Sequence, residues 1–270
     1  MKTSAIFLAL WVCSLLNPGL NCISAAQADQ NSTQGKVNPF PSPGTSWQWQ
    51  LSGYVDTSVD AQMYDIDLYE TPATTIDKLH SKGVVVICYF SAGTWENWRD
   101  DRGQFPKSVR GKAMQDWPDE KWLDIRQIEA LAPVLNARLA LAVKKGCDGV
   151  EPDNVDGYDN DSGFPLSYKD QLKFNKWLAK RAHARGLSIG LKNDLAQIRD
   201  LVADFDWALN EQCFEYDECE SMLPFIRAGK AVFGVEYQGD PAEFCPRANA
   251  MNLDWLLKDM DLTAKRRSCR

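Results

Sequence analysis

Acidic residues recur beside short β-rich runs in this chain of 270 residues. Glu151, Asp153 and Asp156 fall in EPDNVD, Glu211 in NEQ, Asp65 and Asp67 in YDIDL, Asp124 in KWLDIR and Glu236 in VEYQ, while Lys192 stands in GLKND. Two carboxyl groups facing one bond, one protonated and one ionised, are what acid-assisted hydrolysis of a glycosidic linkage requires. Residues two apart in a strand share a face. Glu151 and Asp153 therefore point the same way, Glu151 one layer deeper, and Lys192 points with Asp194. A lysine among acids keeps one carboxylate charged while burial and like charge raise a neighbour's pKa. Any one of these acids alone reads as a solvated loop residue or half of an ion pair; the inference rests on their convergence. Trp49, Tyr89, Trp95, Trp98, Tyr158 and Tyr237 lie at the same run ends, where rings can pack on the C–H faces of sugars. Phe90 and Trp122 read as core.

Other chemistries lack their residues. There is no GxSxG elbow, phosphate-binding glycine loop or HExxH. The two histidines, His80 and His183, each stand three residues before a glycine, in the last turn of an expected helix, where a capping or surface role outweighs catalysis. Asp153, Asp156, Asp159 and Asp161 could offer oxygens to a hard cation, but their spacing matches no EF-hand loop. No metal and no cofactor is expected. With 30 basic against 37 acidic residues and a net charge of −7, the chain is a poor partner for nucleic acid.

The elements that must position these residues follow one grammar. A helical stretch ends in a basic residue and then Gly83, Gly146, Gly186 or Gly229, and a Val/Ile-rich run begins. Glycine suits the left-handed residue after a helix, and a cation there complements the helix dipole. Runs covered on both faces are expected of parallel strands. Strands are expected at 47–51, 62–68, 84–91, 121–125, 148–153, 187–192, 206–212 and 231–237. Eight such units fit a (β/α)8 TIM-type barrel in a single α/β domain, residues 46–270, with function at the strand C-terminal ends. A doubly wound open sheet is the alternative, because too few residues separate the first two runs for a crossover helix.

Lys2, the apolar run from Ala5 to Leu16, and Ser24-Ala25-Ala26 have the order of a secretory signal peptide over residues 1–26. The apolar run is too short to span a bilayer. Residues 27–45 read as a flexible polar leader. Six cysteines then remain, and an even number in an exported chain predicts disulfides. Fifteen pairings are possible; Cys213 with Cys219 is the easiest, Cys245 with Cys269 would pin the C-terminal tail, and Cys88 with Cys147 remains. Asn31-Ser-Thr and Asn160-Asp-Ser fit the glycosylation acceptor pattern. A secreted monomer with no membrane contact after cleavage is expected.

The strings YDIDLYET, VICYFSAGTWENWR, KWLDIR, GCDGVEPDNVDGY, GLKN, NEQC and FGVEYQG together resemble glycoside hydrolase family 114, the endo-α-1,4-polygalactosaminidase family, over roughly residues 46–265. The resemblance implies a barrel that cleaves α-1,4-linked galactosamine polymers internally with retention at the anomeric carbon. It implies Asp153 as nucleophile and Glu211 as general acid/base. Asp65, Asp67, Tyr89, Asp124, Asn154, Tyr158, Lys192, Asn193, Glu236 and Tyr237 would line the substrate cleft. Deacetylated galactosamine polymers are cationic, so an acidic cleft would attract them. Asp65, Asp67, Asp124 and Glu236 are the expected readers of the amines. The competing readings are a non-catalytic carbohydrate-binding barrel and a hydrolase of a different α-glycan.

Overall fold

The computed structural model describes residues 40–270. The signal peptide and residues 27–39 of the leader lie outside the described residues. Twelve strands follow in chain order: β1 (Trp47–Gln50), β2 (Met63–Asp67), β3 (Val85–Ser91), β4 (Thr94–Glu96), β5 (Arg110–Ala113), β6 (Glu120–Leu123), β7 (Gly149–Asp153), β8 (Ser188–Lys192), β9 (Trp207–Glu211), β10 (Val232–Glu236), β11 (Asp254–Leu257) and β12 (Arg267–Ser268). The helices are α1 (Ala73–His80), α2 (Ile128–Lys145), α3 (Tyr168–His183), α4 (Ile198–Leu201), α5 (Leu223–Arg227) and α6 (Pro241–Ala250). Eight strands pair in parallel in the order β1-β2-β3-β7-β8-β9-β10-β11, with β12 antiparallel at the edge. This curled sheet with its helices is the expected (β/α)8 barrel rather than a doubly wound sheet.

Seven of the eight expected strands are barrel strands. The run at 121–125 is not: β6 pairs antiparallel with β4 and β5 in a separate three-stranded sheet between β3 and α2. The eighth barrel strand is β11. The helix before it, α6, ends at Ala250, and Asn252 two residues on is left-handed at φ 60°, so the glycine that marks the other junctions is missing there. Gly83, Gly146, Gly186 and Gly229 all adopt φ between 73° and 91°, the conformation their positions call for.

Alternation along the strands separates two cores. Trp47, Trp49, Met63, Val85, Ile87, Trp207, Leu209, Phe233, Val235 and Leu256 fill the barrel interior. The opposite residues pack against the helices. Gly190 and Gly234 give the indoles of Trp207 and Trp255 their space. A Cβ at either glycine would lie 2.3 or 2.1 Å from a ring carbon, an overpacking that costs about 1–3 kcal/mol.

No ladder joins β11 to β1. That seam is bridged by the Trp47 indole N–H on the Asp254 carbonyl at 2.9 Å and by residues after β11. Leu51 N–H bonds the Leu262 carbonyl, Gln48 bonds that of Ala264, and Arg266 donates to the Trp47 carbonyl. All three disulfides form as the spacing favoured: Cys88–Cys147, Cys213–Cys219 and Cys245–Cys269. His80 and His183 end their helices on Asp148 and Asp206, each at 2.8 Å.

Candidate active site

The barrel interior is apolar at its base and ionic at the C-terminal ends of β7, β8 and β9. Lys192 closes β8, and its ammonium, 2 % exposed, meets three acids: Glu151 Oε1 at 3.1 Å, Asp153 Oδ1 at 3.1 Å and Glu211 Oε2 at 3.2 Å. The Trp49 ring lies 4.8 Å from the same nitrogen. Burial opposes a charged lysine, but these acids outweigh it and hold the pKa of Lys192 well above its ordinary value.

Asp153 and Glu211 are the two acids of this trio that reach solvent, 17 % and 26 % exposed. Asp153 also accepts from the Tyr89 hydroxyl at 3.0 Å and the Asn154 amide at 2.7 Å. Glu211 accepts from the Tyr237 hydroxyl in a short contact and from Asn193 Nδ2 at 3.4 Å. The strand ends beneath them are tightly built. Asn154, Asn193 and Gln212, the residues immediately after β7, β8 and β9, adopt φ of 59°, 49° and 65°. Non-glycine residues seldom take that conformation, and it persists where surrounding contacts enforce it. At Asn154 those contacts are visible. Its Nδ2 donates to Ser91 Oγ at 2.9 Å and Thr94 Oγ1 at 3.2 Å, and Thr94 in turn donates to Glu120 at 2.5 Å. Gly93 lies so close that a Cβ there would stand 1.7 Å from the Asn154 carbonyl oxygen.

Below the exposed pair lies a buried one. The Asp65 carboxyl meets no N–H or O–H donor, and its hydrogen-bond partner is the Glu151 carboxyl. Two carboxyl groups share a hydrogen bond only when one carries a proton. Burial and the neighbouring charge push Asp65 well above its usual range, and burial pushes Glu151 up to about 7. Both shifts favour a proton on the pair. The Trp49 indole N–H, 3.1 Å from Glu151 Oε2, anchors it.

Residues 25–270 match the model of glycoside hydrolase family 114. This chain belongs to that family. It is a glycosidase. Among solved structures it is similar to Aspergillus fumigatus Ega3 in complex with galactosamine, with 41% identity over 88% of this chain and 100% of that one and a TM-score of 0.82. The glycoside hydrolase domain of PelA from Pseudomonas aeruginosa matches at 11% identity over 83% and 98% of the chains, TM-score 0.67, which shows the fold alone. No curated protein sequence is significantly similar.

In this family 114 chain several residues expected to line the cleft do other work. Asp67 is buried and takes both prongs of the Arg99 guanidinium, at 3.1 and 2.6 Å, while capping the amides of Tyr69 and Glu70. Asp124 follows β6, outside the barrel, and is held by Arg126 and Gln127. Glu236 is one residue from Tyr237, so alternation turns it out of the barrel, onto the Trp255 indole and the Phe214 amide. Asp65 is fully buried. All four of these acids are buried. Asn154 and Asn193 are engaged beneath the exposed pair; Asn193 Oδ1 accepts from the Glu211 amide at 3.1 Å. Tyr158 packs edge-on to Tyr168 and bonds Asp194. Tyr89 and Tyr237 do face the cleft, each on one member of the pair.

Sequence reasoning gave Asp156 no role except as a possible cation ligand. It follows β7 by three residues, is partly buried, and its pKa is pushed up to about 7 by burial and by the charge of Asp153. Its place in the EPDNVD string was the available signal. The Arg99 and Arg138 cluster behind the barrel was missed as well, because its members are scattered over five segments. Among the described residues no group of three or more His, Cys, Asp or Glu side chains is arranged to hold a metal ion.

Proposed function

We propose that this protein is a secreted, retaining endo-glycosidase of α-1,4-linked galactosamine polymers, with Asp153 as nucleophile and Glu211 as general acid/base. The observation that carries the proposal is the shared ammonium of Lys192. Because Asp153 Oδ1 and Glu211 Oε2 lie 3.1 and 3.2 Å from it, these oxygens are at most about 6.3 Å apart. Retaining enzymes set their carboxyl groups about 5–5.5 Å apart, and inverting ones roughly 6.5–9.5 Å. The spacing favours direct attack on the sugar over a water held between the acids.

The role order follows from the donors. Asp153 is fixed by an amide, a phenol and an ammonium, which orient its free lone pair and stabilise its charge. Glu211 is the more exposed of the two and can exchange a proton with the leaving group or with water. In the first step Glu211 protonates the glycosidic oxygen, the C1–O bond breaks and Asp153 bonds to C1. Having given up its proton, Glu211 is left as a carboxylate beside the Lys192 ammonium. That form takes a proton from water as the water attacks C1 and releases Asp153. The proton held by Asp65 and Glu151 keeps this cluster from carrying a further full negative charge under the reacting atoms.

Galactosamine as substrate is supported by the 41% identity to Ega3, which is described in complex with galactosamine, and by family membership. The endo mode rests on the family resemblance. Three disulfides fit an oxidising compartment, as secretion after removal of residues 1–26 would provide. Polymers of galactosamine, N-acetylgalactosamine and galactose, digested side by side with fragment masses recorded, test the substrate. Anomer-resolved NMR of the first product tests the stereochemistry; an inverted first product would remove the nucleophile role from Asp153.

A further inference from the structure

Glu120 is a buried acid in β6, outside the barrel, and forms no ion pair among the described residues. β4 and β6 run antiparallel with Glu96 opposite Glu120, so Thr94 lies two residues along on the same face. The Thr94 hydroxyl donates to Glu120 Oε2 at 2.5 Å. That hydroxyl belongs to a closed network with Ser91, the last residue of β3, and Asn154, the first residue after β7. Ser91 and Thr94 are fully buried, so each hydrogen in the network must find an acceptor inside the protein.

The acceptors can be counted. Asn154 Nδ2 has two hydrogens and gives one to Ser91 Oγ at 2.9 Å and one to Thr94 Oγ1 at 3.2 Å. Ser91 Oγ also takes the Thr94 amide at 3.2 Å. A hydroxyl oxygen has two lone pairs, so Ser91 Oγ is filled and its own hydrogen goes to Thr94 Oγ1. Thr94 Oγ1 is then filled as well. The Thr94 hydrogen is left over, and Glu120 is its acceptor. Without that acceptor the hydrogen turns back on a filled oxygen and competes with the Asn154 side chain. A carboxylate, a protonated carboxyl and a glutamine amide each offer the needed lone pair, and a hydrocarbon does not.

Asn154 carries the effect to Asp153. Its backbone amide donates to Asp153 Oδ1 at 2.7 Å, the oxygen that also meets Lys192. The Ala92 and Gly93 amides hold the Asp153 carbonyl at 2.9 and 3.1 Å. The backbone of Asp153 is thus fixed from β3, and its carboxylate is aimed by an amide whose residue is anchored through its side chain. We propose that Glu120 is a positioning residue for Asp153: by accepting the left-over hydrogen of the Ser91–Thr94–Asn154 network it locks Asn154, whose amide orients the nucleophile. The inference rests on the reading of Asp153 as nucleophile and deepens it.

The test compares Glu120→Leu, Glu120→Gln and Thr94→Val by kcat and KM on a galactosamine polymer, by thermal unfolding and by hydrogen exchange at the Asn154 amide. Glu120→Leu is expected to lower kcat of the folded protein by about 10- to 100-fold with KM within about twofold, the scale of a misplaced reacting group. Glu120→Gln keeps the acceptor and should recover kcat to within about threefold of wild type. Thr94→Val should match Glu120→Leu, and the double variant should lose little more than either, as residues of one network do. Exchange at Asn154 should quicken by about tenfold or more in Glu120→Leu and Thr94→Val but not in Glu120→Gln. Equal losses in Glu120→Gln and Glu120→Leu, additive losses in the double variant, or wild-type kcat in folded Glu120→Leu overturns the inference. If Glu120→Leu does not fold, Thr94→Val is read against Thr94→Ser, which keeps the hydroxyl, by the same criteria. Asp153→Asn separates the two levels. If it abolishes turnover while Glu120→Leu leaves turnover intact, the Glu120 role alone fails. If Asp153→Asn retains turnover, the nucleophile reading fails, and the Asn154 exchange rates still decide whether Glu120 locks that strand end.

Discussion

Two ionic clusters lie at this end of the barrel, and they are built on opposite rules. Behind the sheet, Arg99 and Arg138 are paired by geometry that satisfies both. Arg99 forks onto Asp67, Arg138 forks onto Asp101 at 2.9 Å in both prongs, and Glu96 bridges the two at 2.8 and 3.1 Å. The Arg138 forks and the Tyr69 hydroxyl hold Asp101 below its usual range despite burial. At the mouth, one lysine serves three acids with two more nearby, and Glu151, Asp156 and Asp194 are all pushed upward. A cluster in which two forked guanidiniums reach all three of its acids fixes structure. One left in deficit of cations stores the capacity to bind a cation or hold a proton, and this difference separates scaffold from site.

The contrast can be broken by mutation. The largest effect is expected from Asp153→Asn and Glu211→Gln. Each should lower turnover by roughly 10²–10⁴-fold or more with polymer binding retained, measured by reducing-end release and by co-sedimentation. Unchanged turnover in both would remove the two-acid mechanism. Lys192→Met comes next, with turnover lower by about 10²-fold, the scale of losing one preorganised electrostatic contact. Because it strands three acids, its deficit in melting temperature should be smaller at pH 5 than at pH 8, where those acids must ionise. Arg138→Met should instead lower stability more than activity. Leaving Asp101 without its guanidinium fork, while Glu96 keeps Arg99, costs about 3–5 kcal/mol of stability by denaturant titration, and turnover of the folded fraction changes little.

The smallest effect is in the pH dependence of the native protein. Glu120, Glu151 and Asp156 are raised to about 7 and Asp194 to about 9, so the folded state keeps protons that the unfolded chain loses near pH 4. The folded state then binds more protons, and stability falls as pH rises through this window. The melting temperature should drop by a few degrees between pH 5 and pH 8, and Asp194→Asn should flatten the slope. A melting temperature that climbs over this range would refute the upward shifts.

Much of this was legible in the chain, for identifiable reasons. The glycine junctions marked four barrel strands because a left-handed residue after a helix strongly selects glycine. β11 was hidden because Asn252 takes that conformation instead, and β6 misled because KWLDI has the composition of a barrel strand while its partners are antiparallel. At the site, two-residue alternation correctly joined Glu151 with Asp153 and set Lys192 among the acids. The same rule, applied to Glu236 beside Tyr237, should have warned that only one of them faces inward. What alternation could not reveal was commitment. Asp67 and Asp124 are spoken for by Arg99 and Arg126, and such pairings depend on where loops return.

The seam between β1 and β11 has a consequence in time. Its bridges join residues more than two hundred positions apart, such as Trp47 with Asp254 and Gln48 with Ala264. A chain emerging N-terminus first from a ribosome or an export channel must hold seven strands together before residues 254–266 arrive to seal the first to the last. Closure of such distant contacts is slow. During that interval the Trp47 edge is exposed, and a chaperone that shields an unpaired strand would find its natural client there.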